Sequence, residues 1–153
     1  MKVVAYSIKS FEKEFLAKAN QKKHDITLIS NSLSLETANY AEGKDAVIVF
    51  TTDDLSEQVI NKLADLGIKY IATRSAETYQ IDKTAAISKG IKLAHVLITT
   101  PPGFFSDEET LQQIADQTIR NLDKWQQDKC VGKACVCAQN CREFERGNEK
   151  NIN

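Results

Sequence analysis

Three observations predict an α/β fold with a flavodoxin-like, doubly wound parallel sheet of four to five strands and a long C-terminal helix. Short apolar runs of strand character recur along the first hundred residues, as at Val3-Val4-Ala5 and Val47-Ile48-Val49. Segments with apolar residues at helical spacing separate them. Two of those segments stop at a glycine, Gly67 and Gly90. Strands alternating with helices of this length argue βαβ units, and so a parallel sheet with helices on both faces. Right-handed crossovers then leave a doubly wound sheet as the simplest topology.

Each element follows from its own residues. Lys2-Val3-Val4-Ala5-Tyr6-Ser7 reads as the first strand. Ser10 suits the cap of a helix with Phe11, Phe15, Leu16 and Ala19 on one face. Ile26-Thr27-Leu28-Ile29 is a second strand, followed by a short helix over about 34–41 that Gly43 ends. Ala46-Val47-Ile48-Val49-Phe50 is apolar throughout, as suits a strand covered on both faces of a parallel sheet. Asp54 or Ser56 starts a helix that aligns Val59, Ile60, Leu63 and Leu66, and Gly67 stands where a left-handed helix stop belongs. Lys69-Tyr70-Ile71-Ala72-Thr73 is the fourth strand. A short helix over 82–89 ends at Gly90, and 92–98 is the last strand region.

Pro101-Pro102-Gly103 breaks the alternation. Ser106 with Glu109 then fits a capping box. The helix it opens aligns Leu111, Ile114, Ala115, Thr118, Ile119, Leu122 and Trp125 in one stripe, so it should pack on the sheet. The first 129 residues contain no cysteine, and four follow by residue 141. The expected organisation is therefore an α/β domain over 1–128 and a Cys-rich, flexible tail over 129–153. Beyond the cysteines, Phe144 and Ile152 are the only large apolar residues.

Composition removes several classes of function. The chain has 153 residues, 42% of them hydrophobic, which is room for one domain. Its 20 basic and 21 acidic residues leave a net charge of −1, so it has no electrostatic footprint for nucleic acid or an anionic membrane. It lacks the apolar run of about 18 residues that a membrane span needs. Met-Lys-Val-Val-Ala-Tyr turns polar too soon for a signal peptide, so a cytoplasmic location is expected. His24 lies in a charged stretch and reads as a solvated turn, while His95 reads as a core or edge residue. Asp53 and Asp54 follow a strand and are explained by helix capping.

The loop Arg74-Ser75-Ala76-Glu77-Thr78 is the first candidate site. Open parallel sheets bind ligands beyond the carboxyl ends of their strands. Small residues there let backbone N–H groups approach an anion, and an arginine adds a charge-assisted bond to a carboxylate. A solvated loop with a surface arginine explains the same residues more plainly.

Several stretches together carry a family resemblance. They are Asp45-Ala46-Val47-Ile48-Val49-Phe50-Thr51, then Lys62-Leu63-Ala64-Asp65-Leu66-Gly67-Ile68-Lys69-Tyr70-Ile71-Ala72-Thr73-Arg74-Ser75-Ala76, then Ile81-Asp82. Val4-Ala5-Tyr6-Ser7 with Phe11-Glu12-Lys13-Glu14-Phe15, and later Val96-Leu97-Ile98-Thr99 with 104–125, extend it over about residues 1–128. The sequence resembles the substrate-side, or catalytic, domain of D-2-hydroxyacid dehydrogenases, and D-lactate dehydrogenases most closely.

The resemblance implies that Arg74, Ser75, Ala76 and Glu77 form a vestigial substrate loop. It also implies that a dinucleotide-binding domain should lie between strands like 90–94 and 96–99, yet here those pieces abut at about His95. No Gly-x-Gly-x-x-Gly occurs; the six glycines stand singly at 43, 67, 90, 103, 132 and 147. Without that pyrophosphate cradle no NAD site is expected. The family's catalytic arginine and glutamate have no counterpart. Pro101 falls where the catalytic histidine belongs, and proline transfers no proton. Glu77 replaces the usual glycine and would repel an anionic 2-oxo acid. No catalytic residue is therefore assigned, and the family's oligomeric state does not carry over.

The cysteines lie beyond the resemblance, as Cys130-x4-Cys135-x-Cys137-x3-Cys141. Four thiols this close suit one soft ion, Zn(II) or Cu(I). Lys129, Lys133 and Arg142 favour thiolate, which equally suits redox chemistry, and an idle cluster is the third reading. Three functions follow. The first is a stand-alone substrate domain that binds a small carboxylate or a protein partner without transferring hydride. The second is a metal- or redox-responsive protein. The third is an active D-lactate dehydrogenase completed by a separate NAD-binding chain.

Overall fold

The computed structural model describes residues 1–98 and 107–136. Five strands alternate with helices: β1 (Lys2–Ala5), α1 (Lys13–Asn20), β2 (Asp25–Leu28), β3 (Ala46–Val49), α2 (Glu57–Asp65), β4 (Tyr70–Thr73), α3 (Lys83–Ser88), β5 (Lys92–Ala94) and α4 (Glu108–Gln126). Short 3-10 turns occupy Ser10–Glu12, Thr37–Ala41 and Gly132–Ala134. All strand pairs are parallel, in the order β2-β1-β3-β4-β5, the predicted doubly wound sheet with five strands. Among the described residues no helix is long and apolar enough to cross a membrane.

The two-residue period of the strands divides the core. Val3, Ala5, Ala46, Ile48, Ala72 and Ala94 face the layer formed by α1 and α4, where Leu16, Ala115, Ile119, Leu122 and Trp125 cover them. Val4, Val47, Val49, Ile71 and Leu93 face the opposite layer, built on Val59, Ile60 and Leu63 of α2 and Ala85 and Ala86 of α3. Most of each predicted stripe is buried: Val59, Ile60 and Leu63 in α2, and Ala115, Thr118, Ile119, Leu122 and Trp125 in α4. Trp125 also stacks on Tyr70 of β4, with centroids 4.8 Å apart and rings 18° from parallel.

Three helix boundaries differ from the sequence expectation. The first helix is 3-10 over Ser10–Glu12 and α-helical only from Lys13, which leaves Phe11 47% exposed. The segment over 34–41 narrows to the 3-10 turn Thr37–Ala41, which buries Ala38 and Ala41. Helix α4 starts at Glu108 and is capped by Asp107; Ser106, the cap expected from sequence, lies outside the described residues. The Asp107 carboxylate accepts from the Glu109 N–H at 3.1 Å and from Thr110 Oγ1 at 2.8 Å. A carboxylate there also meets the positive end of the helix dipole.

The last strand stops at Ala94, where its pairing with β4 ends, and another segment pairs with its outer edge. The His95 N–H donates to Ala134 O at 2.8 Å, and the Val136 N–H donates to Leu93 O at 3.0 Å. Ala94 and Cys135 thus pair antiparallel. Within the stretch expected to be tail, Val131, Ala134 and Cys135 are buried. The physical reason is the open side of β5, whose polar backbone needs partners that a flexible tail would not supply. Residues 137–153 lie outside the described residues.

Candidate functional site

The carboxyl edge of the sheet holds the site. The chain leaves β1 toward β2 on one side, and β3 leads to β4 and β5 on the other. The strand order therefore reverses between β1 and β3, the position where doubly wound sheets open a ligand crevice. The loops after β1, β3 and β4 meet there.

Arg74 sits where expected, directly after β4, but it is neither solvated nor turned outward. It is buried, 2% exposed. Its Nε donates to Glu12 Oε2 at 2.8 Å, Nη1 to Tyr6 O at 3.0 Å, and Nη2 to Ser7 O at 3.1 Å. A longer contact of 3.5 Å joins Nη2 to Glu12 Oε1. The guanidinium lies 5.3 Å from the centre of the Phe50 ring, within cation–π range. Glu12, placed by the 3-10 turn before α1, thus supplies from within the chain the carboxylate that the sequence reading assigned to a ligand. Arg74 clamps β4 to the loop after β1.

The rest of the candidate loop runs the other way. Ser75 Oγ accepts from the Glu77 N–H at 3.0 Å, and Ser75 O accepts from the Val96 N–H at 3.3 Å. Ala76 O accepts from His95 Nδ1 at 3.0 Å, which sets that nitrogen as the protonated one. Glu77 and Tyr79 are exposed. Contiguous in sequence, Arg74, Ser75, Ala76 and Glu77 do not converge: the first turns to the loop after β1, Ser75 and Ala76 bond to the segment after β5, and Glu77 is exposed. His95 is the half-buried edge residue expected, its carbonyl accepting from Asn121 Nδ2 at 3.3 Å.

Asp53 is more than the helix cap predicted for it. It is buried, and Oδ1 accepts from Ser7 Oγ at 2.6 Å and the Leu33 N–H at 2.8 Å, while Oδ2 accepts from the Phe50 N–H at 2.7 Å. One carboxylate therefore ties together the loops after β1, β2 and β3. It holds Ser7 at a φ of 57°, a left-handed conformation unfavourable for a side chain with a Cβ. Nearby, the Tyr6 hydroxyl donates to Thr37 O at 2.8 Å. Burial first, then the charges of Asp53 and Tyr40, push its phenol far above the ordinary value. Asp54 does the simpler local work, its Oδ1 accepting from the Ser56 N–H at 2.9 Å.

Beside this clamp lies a pocket of about 250 Å³, lined by Lys9, Phe11, Glu12, Phe50, Arg74, Leu111 and Ile114. The sequence reading placed Phe11, Leu111 and Ile114 on core-facing stripes and gave Phe50 only to a strand. The missed signal is the position of Phe50 as the last residue of an apolar run at the carboxyl edge.

Two other expectations resolve away from this edge. His24 is not a solvated turn: its side chain is fully buried, with Nε2 2.7 Å from Asp123 Oδ1. Lys23 Nζ lies 2.8 Å from Asp123 Oδ2, so α4 is pinned to the turn before β2. Burial alone would raise the Asp123 carboxyl, but the hydrogen bonds and charges of Lys23 and His24 outweigh it and hold it below the usual value. No local pattern announces a contact between residues so distant in the chain. Of the cysteines, Cys130 is exposed and its Sγ accepts from the Gly132 N–H at 3.4 Å, while Cys135 is buried against β5. Cys137, Cys141, Pro101 and Pro102 lie outside the described residues. Among the described residues no three metal-binding side chains cluster.

Residues 3–136 match the model of the D-isomer specific 2-hydroxyacid dehydrogenase catalytic domain. The chain belongs to this family. Among its relatives, the Escherichia coli D-lactate dehydrogenase is 35% identical over 97 residues, 63% of this chain and 30% of that protein. The Clostridium sporogenes aromatic 2-oxoacid reductase is 33% identical over 102 residues, 66% of this chain and 31% of that protein. The apo structure of the Escherichia coli D-lactate dehydrogenase superposes over 88% of this chain and 43% of its own, with a TM-score of 0.64 and 27% identity. The Lactobacillus jensenii D-lactate dehydrogenase, solved with NAD+, gives 0.58 at 25% identity, over 84% of this chain and 40% of its own. The chain spans about a third of the length of the curated relatives it matches.

The turn after β1 carries no glycine, and the carbonyls of Tyr6 and Ser7 are covered by Arg74. No backbone nest for a pyrophosphate is formed there.

Proposed function

We propose that this chain is a binding domain of the D-2-hydroxyacid dehydrogenase catalytic-domain type that transfers no hydride by itself, its ligand being a small carboxylate or a protein partner. The observation that carries this is the connection between β5 and α4. Only residues 95–107 separate them, and α4 packs back onto the sheet that contains β5. A single βαβ unit takes about 30 residues, so no nucleotide-binding unit is inserted at that point. The missing glycine cradle and the internal engagement of Arg74 support the same reading. So does Pro101, at the position where the family resemblance puts the proton-transferring histidine.

The test is NADH titration of the purified chain, followed by pyruvate-dependent NADH oxidation. Neither saturable binding nor turnover is expected. Saturable NADH binding by this chain alone would overturn the reading. The rival reading, an enzyme completed by a separate NAD-binding chain, rests on the greater length of the relatives. It predicts turnover only when such a chain is added.

A further inference from the structure

We infer that Cys130, Cys135, Cys137 and Cys141 form a binding site for a Zn(II) ion, a closed four-thiolate centre that pins the segment after α4 to the edge of β5.

The donor set points to the metal. All four cysteines of the chain stand between 130 and 141, and none occurs before them. Neither the Arg74 clamp nor the pocket over Phe50 uses them. Four sulfur ligands with no open position are the donor set of a structural zinc site, with Zn–S bonds of about 2.3 Å in a tetrahedron. Sulfur ligands also favour a soft ion over Mg(II) or Ca(II), which take oxygen.

The spacing divides the cysteines into two pairs. Cys130-x4-Cys135 and Cys137-x3-Cys141 each fall within the roughly two- to four-residue gap between paired zinc ligands. A single residue, Val136, separates the pairs.

The structure fixes the first pair at the two ends of one turn. The segment is held on β5 by the bonds from His95 N–H to Ala134 O and from Val136 N–H to Leu93 O, and by the burial of Val131 and Ala134. Between the two cysteines the chain makes the 3-10 turn Gly132–Ala134, closed by the Cys135 N–H donating to Gly132 O at 3.0 Å. Gly132 takes a φ of 68°, which a side chain would oppose. The same glycine's N–H donates to Cys130 Sγ at 3.4 Å. A backbone N–H at a ligating sulfur orients it and offsets part of its charge. Cys130 is exposed, so an ion can reach it from solvent, while buried Cys135 borders the apolar layer under α4. Cys137 and Cys141 follow outside the described residues and supply the second pair by their spacing alone.

Charge is consistent with the site. Four thiolates around Zn(II) leave a net double negative charge. Lys129, Lys133 and Arg142 stand in the same stretch and oppose it. Binding is balanced by protons: each thiol that ligates gives up its proton to solvent, about four for each ion.

The test uses the full chain, reduced and stripped with a chelator, then titrated with zinc alone and followed by native mass spectrometry and proton release. One zinc should bind per chain, with about four protons released. Cobalt(II) in its place should give the strong visible absorption of a tetrahedral thiolate centre. Cys137→Ser and Cys141→Ser, which leave the packing on β5 untouched, should each weaken zinc binding about tenfold or more. Zinc should also slow alkylation of Cys130 in the wild type. Four thiols that titrate freely in the presence of zinc would overturn the site and leave the cluster idle. Zinc affinity unchanged by both substitutions would overturn it too. Disulfide formation by a chain whose reduced form takes up no zinc would assign the cluster to redox chemistry instead.

Discussion

Replacing Arg74 by methionine separates a structural arginine from a ligand-binding one. The substitution keeps an unbranched apolar side chain in the space but removes every donor. Glu12 loses its partner at 2.8 Å, and the carbonyls of Tyr6 and Ser7 lose bonds of 3.0 and 3.1 Å. A hydrogen bond to a charged group contributes about 1.5–3 kcal/mol, and removing one member of a buried ion pair costs about 3–5 kcal/mol. The Glu12 side chain is 18% exposed, so water can reach the orphaned carboxylate and the lower end applies. The expected loss is about 3 kcal/mol. At roughly 2–4 °C per kcal/mol for a chain of this size, Tm should fall by about 6–12 °C. Adding Glu12→Gln to that variant should cost little more, with a coupling energy of about 1–3 kcal/mol in the double-mutant cycle. Thermal and urea unfolding of the four proteins measure this. A fall under about 2 °C, with carboxylate binding abolished, would show that Arg74 serves a ligand and would refute the clamp.

Three further outcomes are expected. Asp53→Ala removes the acceptor of two buried donors and one partly buried one and should cost about 3 kcal/mol in urea unfolding; a cost below about 1 kcal/mol would mean the three loops hold together without it. Asp123→Asn should lower stability by about 1–2 kcal/mol at neutral pH. Because the folded-state pKa of Asp123 is depressed, its contribution is full above the unfolded value of about 3.9 and fades as pH falls through the folded one. The gap between wild type and Asp123→Asn should therefore close in unfolding curves below pH 4, and a gap that widened there would contradict the ion pair. In native, zinc-free protein, mass-mapped alkylation should modify Cys130 quickly and Cys135 slowly; equal rates would show that residues 131–136 do not stay on β5.

The strands and the α2 and α4 stripes were legible because they rest on local periodicity. Val47 and Val49 alternate with Ala46 and Ile48 whatever the rest of the chain does, and a run apolar on both faces requires a layer on each side. The site was legible only in part. That ligand chemistry belongs at the carboxyl edge follows from the winding, and Arg74 was found there. Its meaning was not legible, because a guanidinium reads the same whether its carboxylate arrives from solvent or from Glu12. Asp53 and His24 were misread for the same reason. Polar residues in short loops look solvated until a distant element covers them, as α4 covers His24 through Asp123. Glu12 and Phe11 turned on a smaller detail, the 3-10 start of the first helix, which rotates one into the clamp and the other onto the pocket rim.

The sequence by itself therefore determined the layers, the strand count within one, the winding and the family, since each depends on patterns a few residues long or on contiguous matching stretches. Only the tertiary structure decided which charges are internal, that 131–135 pack against β5, and which residues bound the pocket. Those depend on partners far apart in the chain: Arg74 with Glu12, His24 with Asp123, Leu93 with Val136, and Phe50 with Leu111. Which pairs meet is set by how the two helical layers close over the sheet, and no local signal encodes that closure.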